Sequence, residues 1–214
     1  MKHYQGVIFD LDGVLCHTDH YHYQAWKQIA DNLGIYFDEQ INNRLRGVSR
    51  MESFDIILEQ HDGEMDERDK VRYAEEKNMI YKRLLGQMSA ADLSKEVEEM
   101  LLSLKKSGIK LAIGSSSKNA QFILERLGIT KYFDAISDGN NISRSKPDPE
   151  VFLKAADYLG LNPSECLVVE DAVAGLTAAA AGGMDCAAVG GAVKSKLAVY
   201  KLNSIGELTV LLRD

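Results

Sequence analysis

Hydrophobic positions along the chain alternate between two periods. Near the start, Gly6, Val7, Ile8 and Phe9 form a β-branched and aromatic run that stops at Asp10 and the turn signal Asp12-Gly13. That is the pattern of a strand buried on both faces. From Tyr21 to about Leu85 the apolar residues recur at helical spacing: Trp26, Ile29 and Leu33, then Phe54, Ile57 and Leu58, then Met79, Ile80 and Leu84. This stretch predicts helices and no strand. After Gly86 the two periods alternate. A helix from Lys95 to Ser107 precedes a strand over Lys110–Gly114, and a helix near Asn119 to Leu127 precedes a short strand over Phe133–Ile136. Next come a helix from Pro149 to Leu159 with Asp148 as its N-cap, a strand over Cys166–Glu170, an alanine-rich helix from Ala172 to Ala181 closed by Gly182 and Gly183, and a strand over Asp185–Val189. This rhythm predicts an α/β fold: a Rossmann-like parallel-sheet core with helices on both faces, interrupted after its first strand by an all-helical cap. The core takes residues 1–15 and 88–214, and the cap residues 16–87.

Composition narrows the function classes. The chain has 214 residues, 45% hydrophobic and 27% charged, the balance of a soluble globular protein. A formal net charge of -7 argues against a nucleic-acid surface, which needs clustered Lys and Arg, so any phosphate must be met locally. The short apolar run at the N-terminus is broken by Asp10 and Asp12, which predicts neither a signal peptide nor a membrane span. Three cysteines, Cys16, Cys166 and Cys186, show no metal-like spacing and read as reduced, buried thiols of a cytoplasmic protein.

In parallel sheets, ligands bind beyond the carboxyl ends of the strands, so polar residues closing several strands converge. Here the strands end at Asp10, at Gly114-Ser115, ahead of Lys146 and at Glu170-Asp171. Carboxylates from two strand ends form a hard oxygen pocket that suits Mg²⁺. Asp10 and Asp12 are one residue apart, so one can attack a phosphoryl group while the other handles protons. An isolated Asp-x-Asp-Gly is as readily a solvated turn; the preceding apolar strand and the later acidic pair favour chemistry. The run Gly114 to Asn119 follows a strand and opens a helix, which suits a phosphate or simply a Ser-rich cap. Lys146, on a proline-stiffened loop, offers a cation to a phosphoryl oxygen.

The ordered set Phe9-Asp10-Leu11-Asp12-Gly13, Gly114-Ser115-Ser116-Ser117, Lys146-Pro147 and Glu170-Asp171 with Gly175 beyond resembles the haloacid dehalogenase-like superfamily of aspartate-nucleophile phosphotransferases. The resemblance spans essentially the whole chain. It implies Asp10 as nucleophile and Asp12 as acid and base, with Ser115 and Lys146 holding the transferring phosphoryl group. Asp10, Asp12 (through its main-chain carbonyl), Glu170 and Asp171 would form the Mg²⁺ site.

Within that superfamily, Asn43 to Arg50 with Ser53, Thr18 with His22 and Trp26, and Lys77-Asn78 with Tyr81 are similar to the cap of the β-phosphoglucomutase family. By that resemblance Arg50 binds the distal phosphate of the sugar, with Arg46, Gly47, Val48 and Ser49 around it. Ser116, Ser117, Lys118 and Asn119 contact the same region from the core, and Thr18, Trp26 and Lys77 stand near substrate. His22 would bond the loop carrying Asp12 as the cap closes. Trp26 reads equally as plain core, and His22 as a solvated side chain. The sequence departs from the family at Arg46, where Lys is familiar, at Cys16-His17, and at Leu93 to Val97, where a Pro-Gly turn is usual. The implied reaction interconverts β-glucose 1-phosphate and glucose 6-phosphate through an aspartyl-phosphate and a 1,6-bisphosphate. The alternatives are a sugar-phosphate phosphatase and a non-catalytic sugar-phosphate-binding protein. The expected partner is a small sugar phosphate bound by a monomer, with no nucleic acid and no membrane.

Overall fold

The computed structural model describes residues 2–61 and 63–212. Strand β1 (Gly6–Phe9) is followed by four helices: α1 (Asp19–Leu33), α2 (Glu39–Arg44), α3 (Arg50–Leu58) and α4 (Glu67–Leu85). Then α5 (Lys95–Lys106), β2 (Lys110–Gly114), α6 (Ala120–Leu127), β3 (Ala135–Ser137), α7 (Glu150–Leu159), β4 (Cys166–Glu170), α8 (Val173–Ala181), β5 (Asp185–Ala188), β6 (Tyr200–Lys201) and α9 (Leu208–Leu211) complete the chain. The strands form one parallel sheet in the order β3-β2-β1-β4-β5-β6. The predicted α/β architecture is what the chain adopts, and among the described residues no strand lies between β1 and β2.

Alternation along each strand divides the core between the two faces of the sheet. Val7 and Phe9 pack with Leu111, Ile113, Leu167 and Val169 beneath α5 and α6, and this layer continues into Trp26, Ile29, Phe54 and Tyr81 of the helical insertion. Ile8, Ala112, Val168 and Cys186 face the other way, against Phe152 of α7 and Leu176 of α8. Burial on both faces explains the unbroken apolar runs of β1 and β4.

Register sets the site. Phe9 pairs with Ile113 on one side and Val169 on the other, so Asp10, Gly114 and Glu170 emerge in one row at the carboxyl edge.

Three local expectations shift. The third strand starts at Ala135, because the turn over Thr130–Tyr132 takes the Phe133 N–H. Pro149 rather than Asp148 occupies the N-cap of α7, and the Asp148 carboxylate accepts the Glu150 N–H at 3.0 Å. The two-residue β6 is too short to carry a pattern, and pairing with β5 imposes it. Among the described residues, no helix is long and apolar enough to cross a membrane.

Candidate active site

The carboxyl edge of the sheet and the insertion enclose a cavity of about 750 Å³. Asp10 and Asp12 line it from the β1 turn, Ser115 to Asn119 from the β2–α6 loop, and Asp171 from the end of β4. Opposite them stand His22 and Trp26 of α1, the loop Arg46 to Ser49, Arg50 at the start of α3, and Lys77 of α4. Asp10 and Asp171, 161 positions apart in sequence, therefore share one chamber.

The acidic half is built around one buried amine. Lys146 is fully buried, and its Nζ lies 2.6 Å from Asp10 Oδ1 and 2.6 Å from Glu170 Oε1. Burial alone would depress its basicity, but the two carboxylates outweigh that and keep it charged. Asp10 is held well above the usual carboxylate range by burial; Lys146 opposes this, and Glu170, Asp171 and Asp12 add repulsion. Asp171 is pushed up to about 7 by burial and by Glu170, against the pull of Arg46. Glu170 Oε2 accepts the Ala172 N–H at 2.8 Å, which fixes the carboxylate.

Asp10, Glu170 and Asp171 offer ligand oxygens within 4.8 Å of one another. Three converging hard donors, more negative than Lys146 can balance, fit a small divalent cation of the Mg²⁺ type. The Asp12 side chain lies apart from this trio and accepts the Thr18 hydroxyl hydrogen. Burial raises Asp12 and the Thr18 bond opposes it. Gly13, at φ +85°, makes this turn possible: a Cβ there would stand 2.2 Å from Asp171 Oδ2.

The β2–α6 loop presents a nest of donors and hydroxyls. Ser115 Oγ accepts the Ser117 N–H, and Ser117 Oγ accepts the Asn119 N–H, each at 3.2 Å. Two bonds tie this loop to the insertion: Ser116 Oγ donates to the Gly47 carbonyl at 3.3 Å, and Asn119 Nδ2 donates to Asn78 Oδ1 at 2.9 Å.

On the far side, Ser49 caps α3 in a reciprocal box with Glu52, which places Arg50 at the positive end of the helix. Burial lowers the Arg50 guanidinium, and Glu75 on α4 partly restores it. Lys77 is 2% exposed, with Nζ 2.9 Å from His22 Nδ1 and 5.0 Å from the centroid of the Trp26 ring. Burial and the Arg50 charge lower Lys77 well below its ordinary value, and burial with Lys77 does the same to His22.

Several expected positions differ in detail. Thr18 is fully buried behind Asp12 and stands outside the cavity lining, so its expected place beside substrate becomes one of support for Asp12. His22 meets Lys77, while the bond to Asp12 comes from Thr18. Trp26 is both core and wall: it stacks on Phe54 with centroids 5.4 Å apart and also lines the cavity. Arg46 is engaged by two carboxylates, Asp19 and Asp171. Sequence reasoning missed Asp19, Glu75 and Arg144, which also line the cavity. An acidic residue in the first turn of α1 reads as a dipole partner, so the signal for Asp19 was masked.

The model of the haloacid dehalogenase-like hydrolase family matches residues 4–183. A β-phosphoglucomutase of Bacillus subtilis is 41% identical over 188 residues, covering 87% of this chain and 83% of its own. A phosphorylated carbohydrates phosphatase of Thermotoga maritima is 32% identical, covering 85% and 82%. The crystal structure of a β-phosphoglucomutase from Clostridium difficile superposes with a TM-score of 0.89 at 40% identity, over 96% of this chain and 93% of that one. The chain belongs to the haloacid dehalogenase-like hydrolase family, in the branch that holds the β-phosphoglucomutases.

Proposed function

We propose that this chain is a Mg²⁺-dependent β-phosphoglucomutase, interconverting β-D-glucose 1-phosphate and D-glucose 6-phosphate through an aspartyl-phosphate on Asp10 and a glucose 1,6-bisphosphate intermediate. The observation that carries the reading is one cavity with a nucleophilic carboxylate at one end and Arg50, on a helix N-terminus, at the other. A bisphosphorylated intermediate must be held at both ends, and this cavity offers a grip for each.

Asp10 attacks the phosphoryl group, while Ser115, the β2–α6 amides and Lys146 neutralise its oxygens. Asp12, held by Thr18, deprotonates the accepting sugar hydroxyl and returns the proton to the departing oxygen. Burial keeps Asp12 basic enough for that exchange. Arg50, with Gly47, Val48 and Ser49, grips the distal phosphate; Ser116, Ser117, Lys118 and Asn119 reach it from the core. Lys77, His22 and Trp26 bound the sugar, and Arg46 seats the loop over it. Asp10, Glu170, Asp171 and the main-chain carbonyl of Asp12 would hold Mg²⁺, whose chemistry is to offset the charge gathered on the phosphoryl oxygens. Residues 16–87 act as the cap and residues 1–15 with 88–214 as the core; closure excludes water from the aspartyl-phosphate. We further propose that the protein acts as a monomer in the cytoplasm.

The test is one assay with Mg²⁺, β-glucose 1-phosphate and a trace of glucose 1,6-bisphosphate, following glucose 6-phosphate and free phosphate together. Glucose 6-phosphate with little phosphate is the expected result, and Asp10→Asn removes it. The 32% identity to a phosphorylated carbohydrates phosphatase supports a second reading, in which water attacks the aspartyl-phosphate. Phosphate release without isomerisation would select it.

A further inference from the structure

Two consecutive residues at the start of α1 reach both halves of the acidic centre. Thr18 donates to Asp12, and Asp19 accepts from Arg46 Nη2. The other arm of that guanidinium, Nη1, lies 3.1 Å from Asp171 Oδ2. One arginine on the loop between α2 and α3 thus spans two carboxylates, one 36% exposed on α1 and one 7% exposed at the end of β4.

The loop is seated. Gly47 adopts φ +77°, and a Cβ there would stand 3.4 Å from the Ala172 Cβ, next to Asp171. Its carbonyl accepts from Ser116 Oγ. With Lys146 paired to Asp10 and Glu170, and Arg46 to Asp171, every carboxylate of the trio already has a protein cation. Lys146 is built into the core, whereas Arg46 arrives with the loop.

We infer that Arg46 is a resident competitor of the divalent cation for Asp171, and that Asp19 is a positioning residue that tempers the competition by holding part of the guanidinium. A carboxylate oxygen directed at a guanidinium is less available to a metal, so cation binding and loop docking oppose one another. Linkage makes the opposition reciprocal: the metal loosens the loop by the factor that the loop weakens the metal. Asp19 draws Arg46 outward, towards water, and leaves Asp171 freer for the cation. This inference rests on the reading of Asp10, Glu170 and Asp171 as the Mg²⁺ site.

The experiment is calorimetric titration of Mg²⁺ into metal-free protein at fixed pH and ionic strength, with an unfolding curve on each variant. Arg46→Gln is expected to bind Mg²⁺ about three- to fivefold more tightly and Asp19→Asn about three- to fivefold more weakly, the scale of partly exposed ion pairs. The double variant decides the mechanism. If Asp19 acts through Arg46, Asp19→Asn costs nothing in the Arg46→Gln background. An undiminished loss there would mean that Asp19 acts by its own charge, and would overturn the inference. Unchanged affinity in both single variants, or weaker binding by Arg46→Gln, would overturn it as well. Wild-type protein that takes up no Mg²⁺ would instead refute the reading of the acidic centre. Arg46→Lys, which keeps the charge but cannot span both carboxylates, supplies the comparison should Arg46→Gln fail to fold.

Discussion

Lys146 Nζ stands 2.6 Å from Asp10 Oδ1, and the same amine meets Glu170 at the same distance, with no exposed surface on the lysine side chain. A wholly buried cation between two buried carboxylates is an internal counter-ion, and removing it strands their charge. Lys146→Met is therefore expected to lower the stability of metal-free protein by about 3–5 kcal/mol, the scale for breaking a buried pair. Urea denaturation measures the loss. Millimolar Mg²⁺ is expected to restore part of it, because a divalent ion can take over the neutralising role.

The Thr18 hydroxyl opposes the upward push that burial gives the Asp12 carboxyl. Thr18→Val removes that opposition, so Asp12 holds its proton to higher pH and, in its proposed role as the base, would serve over a narrower range. The acidic limb of the kcat profile is expected to move towards higher pH, with kcat at pH 7 down about tenfold. Thr18→Ser is expected to keep the wild-type profile. Identical limbs in Thr18→Val and wild type would separate Thr18 from the proton-transfer step.

Gly175 matters for a steric reason. A Cβ at that position would stand 1.8 Å from Glu170 Oε1, on the carboxylate that Lys146 also meets. Gly175→Ala must displace Glu170, so Mg²⁺ affinity is expected to fall about 10–100-fold, as for other supporting groups of metal ligands. Titration of Mg²⁺ reads the change directly, without reliance on turnover.

These examples mark what the sequence makes legible. Three of the four motif segments close a strand, so the convergence of Asp10, Ser115 and Glu170 follows from parallel topology alone, whereas Lys146 reaches them from the loop between β3 and α7. Strands β2 and β4 lie where their apolar runs place them, because residues buried on both faces leave no alternative period. The pairings of side chains were less accessible. Asp19 and Arg46 are 27 positions apart, and Arg46 and Asp171 are 125 apart. Only the docking of the insertion on the sheet brings them together, and no periodicity reports it. The edge strand β6 was hidden for a related reason: two residues take their conformation from β5. Thr18, expected beside substrate by resemblance to the cap of the family, is buried behind Asp12, and no pattern in the sequence separates that position from the cavity wall formed by Asp19 and His22.

Arg50 is the proposed grip on the phosphate that is not reacting. Arg50→Ala is expected to raise KM for β-glucose 1-phosphate about a hundredfold, the cost of losing a charged contact to a dianion. Phosphorylation of Asp10 by a small phosphoryl donor needs no distal grip and is expected to proceed as in wild type. With the intermediate held at one end only, more phosphate is released per glucose 6-phosphate formed. A product ratio unchanged from wild type would remove Arg50 from the partition between mutase and phosphatase.

Charge crowding in the acidic centre also sets how stability depends on pH. Asp171 is raised to about 7 by burial first and by Glu170 next, against an ordinary value of 3.8, and Asp10 is raised in the same sense. Between those two values the folded protein binds more protons than the unfolded chain, so stability falls as pH rises. The contribution is complete below about 4 and is lost as pH climbs through about 7. Metal-free protein is therefore expected to show a falling Tm from pH 5 to pH 8. A divalent cation bound by the ionised carboxylates reverses the sign of their contribution, because it binds the deprotonated folded form. The Tm increment produced by Mg²⁺ is then expected to grow over the same interval, and Asp171→Asn to flatten both curves. A Mg²⁺ increment independent of pH would mean that the ion is held by groups already ionised at pH 5, and would move Asp171 out of its coordination.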